Sequence, residues 1–116
     1  MGGIDLQVNF EMVDQNLFVK LAGELDHHSA EDIRDKIDKQ IDKNEAKNII
    51  FDLADVHFMD SSGIGVVIGR YKKVQRKGGQ AAVIHMNSRI ESIFKMSGLF
   101  HIIQKFENKK QALERL

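Results

Sequence analysis

The stretch Asn48-Ile49-Ile50-Phe51-Asp52-Leu53, followed by Met59-Asp60-Ser61-Ser62-Gly63-Ile64-Gly65, decides the architecture. Ile49-Ile50-Phe51 is apolar without alternation, as expected of a strand covered on both faces. Asp60-Ser61-Ser62-Gly63 then opens a helix that runs to about Lys77, where Gly78-Gly79 ends it. A buried strand feeding a helix is half of a βα unit, and both flanks repeat the theme. Ala81–His85 reads as another buried strand. Upstream, Ser29-Ala30-Glu31-Asp32 is close to a capping box. Ile33, Ile37 and Ile41 follow at helical spacing, predicting an amphipathic helix over 29–44. Downstream, Ser88-Arg89-Ile90-Glu91 reads as a capping box whose helix carries Ile90, Ile93 and Phe94 on one face. Gly98 stops that helix, Leu99–Ile103 reads as a last short strand, and Asn108 with Gln111 starts a terminal helix. Towards the N-terminus, Ile4, Leu6, Val8 and Phe10 alternate with polar residues, the period of a half-buried strand. Asp14-Gln15-Asn16 then reads as a turn and Leu17–Leu21 as the returning strand of a hairpin. The order β-β-α-β-α-β-α-β-α predicts an α/β fold, a mixed sheet of about five strands covered by about four helices. No composition shift marks a boundary, so residues 1–116 are expected to form a single domain.

The chain has 116 residues, 42% of them apolar, enough for one core without staples. The absence of cysteine excludes disulfides and thiolate metal sites, and a reducing, cytoplasmic setting is expected. The apolar runs fall far short of the ~20 residues that span a bilayer. Met1-Gly2-Gly3-Ile4-Asp5 has neither the basic nor the apolar part of a signal peptide, so no membrane partner is expected. Equal numbers of acids and bases conceal an asymmetry: residues 1–60 sum to −8 and residues 61–116 to +8. The bases are spread along helical stretches and not interleaved with aromatics, so direct nucleic-acid binding is not expected.

Four constellations bear on chemistry. Gly63-Ile64-Gly65-Val66-Val67-Ile68-Gly69 lacks the spacing of a dinucleotide loop, and its glycines are read as thinning a helix surface. Asp26-His27-His28 has no third metal ligand at a recognisable spacing, and it reads as a polar loop before the first helix. His57, His85 and His101 are isolated and read as structural. Asp52, Asp55 and Asp60, near the end of the middle strand, read as solvated loop acids. Ser61 and Ser62 lack a nucleophile elbow and an activating pair, so no catalytic residue, cofactor or metal is assigned. The helix they open is more informative. At 100° per residue, Ile64, Val67, Ile68, Tyr71 and Val74 share a core stripe, which places Ser62, Val66, Gly69, Arg70 and Lys73 outward. An outward Val66 beside glycines and hydroxyls reads as a small docking surface.

Gly23-Glu24-Leu25-Asp26-His27-His28, Phe58-Met59-Asp60-Ser61-Ser62-Gly63-Ile64-Gly65 and Met96-Ser97-Gly98-Leu99-Phe100 closely resemble the sporulation anti-sigma factor antagonists, which are stand-alone STAS domains. The likeness covers essentially the whole chain. Asp-Ser-Ser-Gly alone marks STAS domains generally, and the other two stretches make the sporulation type more specific. The resemblance implies a non-enzymatic switch. The unphosphorylated protein would bind an anti-sigma factor that is also an ATP-dependent serine kinase, and so release the sporulation sigma factor. The kinase would phosphorylate Ser61, by motif position, and a PP2C-type serine phosphatase would reset it. The expected partner surface comprises Asp26, His27, Met59, Asp60, Ser62, Gly63, Gly65, Val66, Gly69 and Arg70. A phosphate on Ser61 is expected to be tolerated by free N–H groups at the helix start. Two alternatives stay open: an antagonist in another partner-switching pathway such as general stress, and a nucleotide-binding STAS protein.

Overall fold

The structure, a computed structural model, describes residues 6–116. The readings that fall on Met1–Asp5, including Ile4 as the start of the first strand, lie outside the described residues. The chain runs β1 (Gln7–Val13), β2 (Asn16–Leu25), α1 (Ala30–Asn44), β3 (Asn48–Met59), α2 (Ser61–Gln75), β4 (Ala81–Ile84), α3 (Ser88–Ser97), a 3₁₀ turn (Leu99–His101), β5 (Gln104–Phe106) and α4 (Lys109–Arg115). The five strands form one sheet in the order β1-β2-β3-β4-β5. β1 is antiparallel to β2, and the remaining pairs are parallel. This is the mixed α/β architecture that the element order predicts.

The apolar pattern explains which face each strand presents. Ile49 and Phe51 enter a large core with Leu17, Val19 and Leu21 of β2 and with Ile33, Ile37 and Ile41 of α1. The intervening Ile50 enters a smaller core on the other face, with Phe18, Ala82, Ile84, Phe106 and Ala112 of α4. A strand with helices on both sides needs no polar face. β1 has only one covered face. Leu6, Val8, Phe10 and Met12 pack against the large core, while Gln7, Asn9 and Glu11 stay exposed. The hairpin turns at Asp14, which takes φ 55°, a left-handed conformation that aspartate tolerates.

Several local readings are corrected. β3 continues past Leu53 to Met59, so the middle strand carries the chain directly to Asp60. Ser29 does not cap α1 with its side chain; its hydroxyl donates back to Glu24 O at 2.9 Å. Asn87, not Ser88, caps α3, accepting from Ile90 N at 3.0 Å, while Glu91 pairs with Lys105. Leu99–Ile103 is not a strand. Leu99 and Ile103 plug the large core through the 3₁₀ turn, and β5 begins only at Gln104. Buried apolar spacing alone cannot separate a turn that drops two residues into a core from a short covered strand.

The charge asymmetry resolves into pairs that join the two halves of the chain. Asp38 meets Arg70 at 2.8 Å, Asp42 meets Lys73 at 3.1 Å and Glu11 meets Lys109 at 2.6 Å. The first two form a ladder between α1 and α2, because residues four apart on one helix and three apart on the other lie on facing stripes. Among the described residues no helix is long and apolar enough to cross a membrane.

Candidate functional site

The site is built where β3 ends. Met59 is buried, and Asp60 leaves the strand with extended backbone (φ −108°, ψ −168°) to become the N-cap of α2. One carboxylate oxygen, Oδ1, accepts from Ser62 N at 2.9 Å and Gly63 N at 3.2 Å. The other, Oδ2, accepts from His27 N at 3.3 Å. Asp60 N donates to Leu25 O at 3.4 Å, so the end of β2 and the start of α2 are joined at two points. Gly63 makes that approach possible. A Cβ there would stand 2.4 Å from Leu25 O and 2.7 Å from Met59 Cγ.

The β2–α1 loop has its own internal frame. Asp26 Oδ1 accepts from His28 N at 2.9 Å and Ser29 N at 3.2 Å, an Asx-type turn that shapes the loop locally. The rings of His27 and His28 lie against each other, with centroids 3.9 Å apart. An extended segment would have pointed them apart; the turn brings them together. Among the described residues no group of three or more His, Cys, Asp or Glu side chains is arranged to hold a metal ion.

Ser61 is exposed as the first residue of α2, and Ser62 is half-buried. The expectation of free N–H groups for a phosphate on Ser61 is corrected at two of them, because the Asp60 carboxylate already occupies those of Ser62 and Gly63. The outward placement of Val66 and Arg70 is also corrected. Val66 is 4% and Arg70 7% exposed, while Ile64, Ile68 and Tyr71 are only partly buried. α2 does not bury a single stripe. It lies on the sheet with one flank and on α1 with the next, so residues i and i+4 at 66 and 70 turn towards α1.

Arg70 is held there by its neighbours. Its Nε lies 2.8 Å from Asp38 Oδ1, close in space but with the N–H misaligned, and its Nη1 donates to Val66 O at 3.4 Å. Burial lowers the guanidinium from its ordinary value, with the charge of Asp38 opposing the shift. It stays charged, as arginine does in proteins.

A groove of about 260 Å³ runs between α1 and α2. It brings His27, Ser62, Gly65, Val66 and Arg70 of the sequence reading together, and adds Arg34 of α1. Sequence reasoning missed Arg34, since nothing in α1 itself marks which stripe faces a helix some thirty residues later. Met59 and Gly63 are buried beneath this surface. Asp26 turns its carboxylate onto its own loop. Gly65 and Gly69 have nothing within 4 Å of an added Cβ. Gly65→Ala should therefore stabilise α2 by up to about 1 kcal/mol, the helix-propensity difference, read as a raised midpoint in thermal unfolding. A lowered midpoint would mean the position is not open.

Comparison with known proteins agrees with this geometry. The STAS domain model matches residues 7–112. The chain is 40% identical to an anti-sigma F factor antagonist of Paenibacillus polymyxa, over 97% of each chain. It is 31% identical to an anti-sigma-B factor antagonist of Bacillus subtilis (strain 168), over 86% of this chain and 90% of the relative. Its fold matches the anti-sigma factor antagonist SpoIIAA in its unphosphorylated form, with a TM-score of 0.73 and 30% identity over 94% of this chain and 96% of that one. The Bacillus cell fate determinant SpoIIAA in the phosphorylated form gives a TM-score of 0.73 and 32% identity, over 94% and 98%. With the strand order, the Asp60-capped helix and near full-length matches in agreement, the chain belongs to the STAS domain family, alongside the anti-sigma factor antagonists.

Proposed function

We propose that this protein is an anti-sigma factor antagonist controlled by phosphorylation on Ser61, and that it has no chemistry of its own. The observation that carries this reading is the placement of Ser61. It is exposed on the first residue of α2, beside a carboxylate that already takes the N–H groups of Ser62 and Gly63. A phosphate there adds about −1.5 to −2 charges and finds neither a free helix N–H at Ser62 or Gly63 nor a structural contact to break. It stays on the surface, next to Asp60. A partner packed over the start of α2 would have to bury that charge against a like charge, which costs several kcal/mol, and every ~1.4 kcal/mol is tenfold in affinity. The switch acts on docking and leaves the fold in place.

The partner in this reading is an anti-sigma factor with ATP-dependent serine kinase activity; binding frees its sigma factor, and a PP2C-type phosphatase restores the active form. Identity of 40% over nearly the full length to a sigma-F-type antagonist, against 31% to a sigma-B-type one, favours the sporulation pathway over general stress. The test uses an anti-sigma F factor with ATP. Wild-type protein should gain one phosphate on Ser61, and Ser61→Ala should gain none while still binding. Phosphate on Ser62 in the wild type, or persistent labelling of Ser61→Ala, would sink the assignment. Preferential capture by an anti-sigma-B factor would move the protein to the other pathway.

A further inference from the structure

The two oxygens of Asp60 have separate duties. Oδ1 caps α2 through Ser62 and Gly63, and Oδ2 takes the backbone N–H of His27 in the β2–α1 loop. The loop's other hydrogen bonds are internal, lead back to the strand it leaves, or lead on into α1, where Ala30 N donates to Asp26 O and Ile33 N to Ser29 O. Asp26 binds His28 and Ser29, and the Ser29 hydroxyl binds Glu24 O. Among the described residues, the His27–Asp60 contact is the one hydrogen bond that ties the turn after β2 to the helix carrying Ser61.

A cap alone does not require aspartate at this position, since serine and asparagine serve as well. Serine brings one oxygen. Asparagine brings one carbonyl oxygen and an amide that only donates. Only a carboxylate accepts on both sides at once. We propose that Asp60 is a positioning residue for docking: its second oxygen holds the His27 turn against the start of α2, so that the partner meets loop and helix as one preformed surface. The docking half of this inference rests on the proposed function, whereas the clip itself does not. Preforming the surface saves the ordering cost that a loose loop would add to binding.

Asp60→Asn separates the two duties. Its carbonyl oxygen goes to the two helix donors, which leaves the amide facing the His27 N–H, donor against donor. Asp60→Ser keeps the cap and leaves His27 with no acceptor. Both variants, as the full unphosphorylated chain, would be compared with wild type by thermal unfolding, by the amide resonance of His27, and by affinity for an anti-sigma F factor with ADP, which has no γ-phosphate to transfer to Ser61. The expected result is a nearly unchanged midpoint, a His27 amide that moves to solvent-like shift and exchange, α2 amides that hold, and affinity weaker by at least about tenfold. An unmoved His27 amide overturns the clip. A released His27 with wild-type affinity overturns its role in docking. A collapse of the midpoint in both variants overturns the separation of the two duties. If wild type itself fails to bind the factor, the functional proposal falls, and the His27 amide still decides the clip.

Discussion

Gly79→Ala should cost about 3 kcal/mol of unfolding free energy, the upper end for forcing extra atoms into a packed region. A Cβ at residue 79 would stand 1.7 Å from Lys47 O and 2.8 Å from its carbonyl carbon. Those are backbone atoms, so no rotamer change relieves the clash. Lys47 leads into β3, and it is tied on its other side, with Lys47 N and Asn48 N both donating to Gln15 O at 2.9 and 3.2 Å. Ile49 N also donates to Gln80 O at 3.0 Å, so displacing residue 79 disturbs the start of the β3–β4 pairing. Gly78 is the natural control. It has open space around it but φ +79°, so alanine there meets only the left-handed penalty of about 1–2 kcal/mol. Chemical denaturation of the two variants should rank Gly79→Ala well below Gly78→Ala. The reverse order would mean that the close approach at Lys47 is not what residue 79 is for.

Val66→Glu should be the more damaging change, at about 3–5 kcal/mol near neutral pH, the range for an uncompensated buried charge. Val66 is almost wholly enclosed, and the nearby cation of Arg70 is already engaged by Asp38. Burial would raise the pKa of the new carboxyl when folded, while unfolded it keeps the ordinary value of about 4.3. The deficit against wild type should thus be smallest in acid and should grow as pH rises through that value. Equal deficits at low and neutral pH, or a wild-type midpoint throughout, would contradict the burial. Loss of partner binding in this variant reports lost structure, so bulk at open Gly65 is the sounder probe of docking.

That contrast marks how far the sequence could be read. Elements whose signal is local were legible. Ile49-Ile50-Phe51 announced a doubly covered strand, the isoleucines of α1 sit where their spacing put them, and Asn108 caps α4 by accepting from Gln111 N at 2.9 Å. Ser61 was placed on the first turn of α2 from its motif. What escaped was set by partners distant in sequence. A helical wheel assumes one buried stripe, and α2 has two, because α1 covers Val66 and Arg70. Arginine reads as a surface residue unless its counter-ion is known, and Asp38 stands one helix and one strand earlier. The same logic hid Arg34. Cap positions shifted by one residue at α3 because Asn87 and Ser88 are both competent caps, and the choice fell to Asn87, whose amide also donates to Val56 O at 2.8 Å.

The strand order β1-β2-β3-β4-β5 has a consequence for how the protein is made. Position in the sheet equals position in the chain, so no strand of this sheet is inserted between two others. Translation proceeds at about 5–20 residues per second, while hairpins form within about 1–10 μs. Each strand emerging from the ribosome therefore has ample time to meet a neighbour that is already present, separated from it by no more than one helix. The sheet can grow by accretion at a single moving edge, in the direction of synthesis. The parallel pairings, which are slow when loops are long, each close over one short crossover.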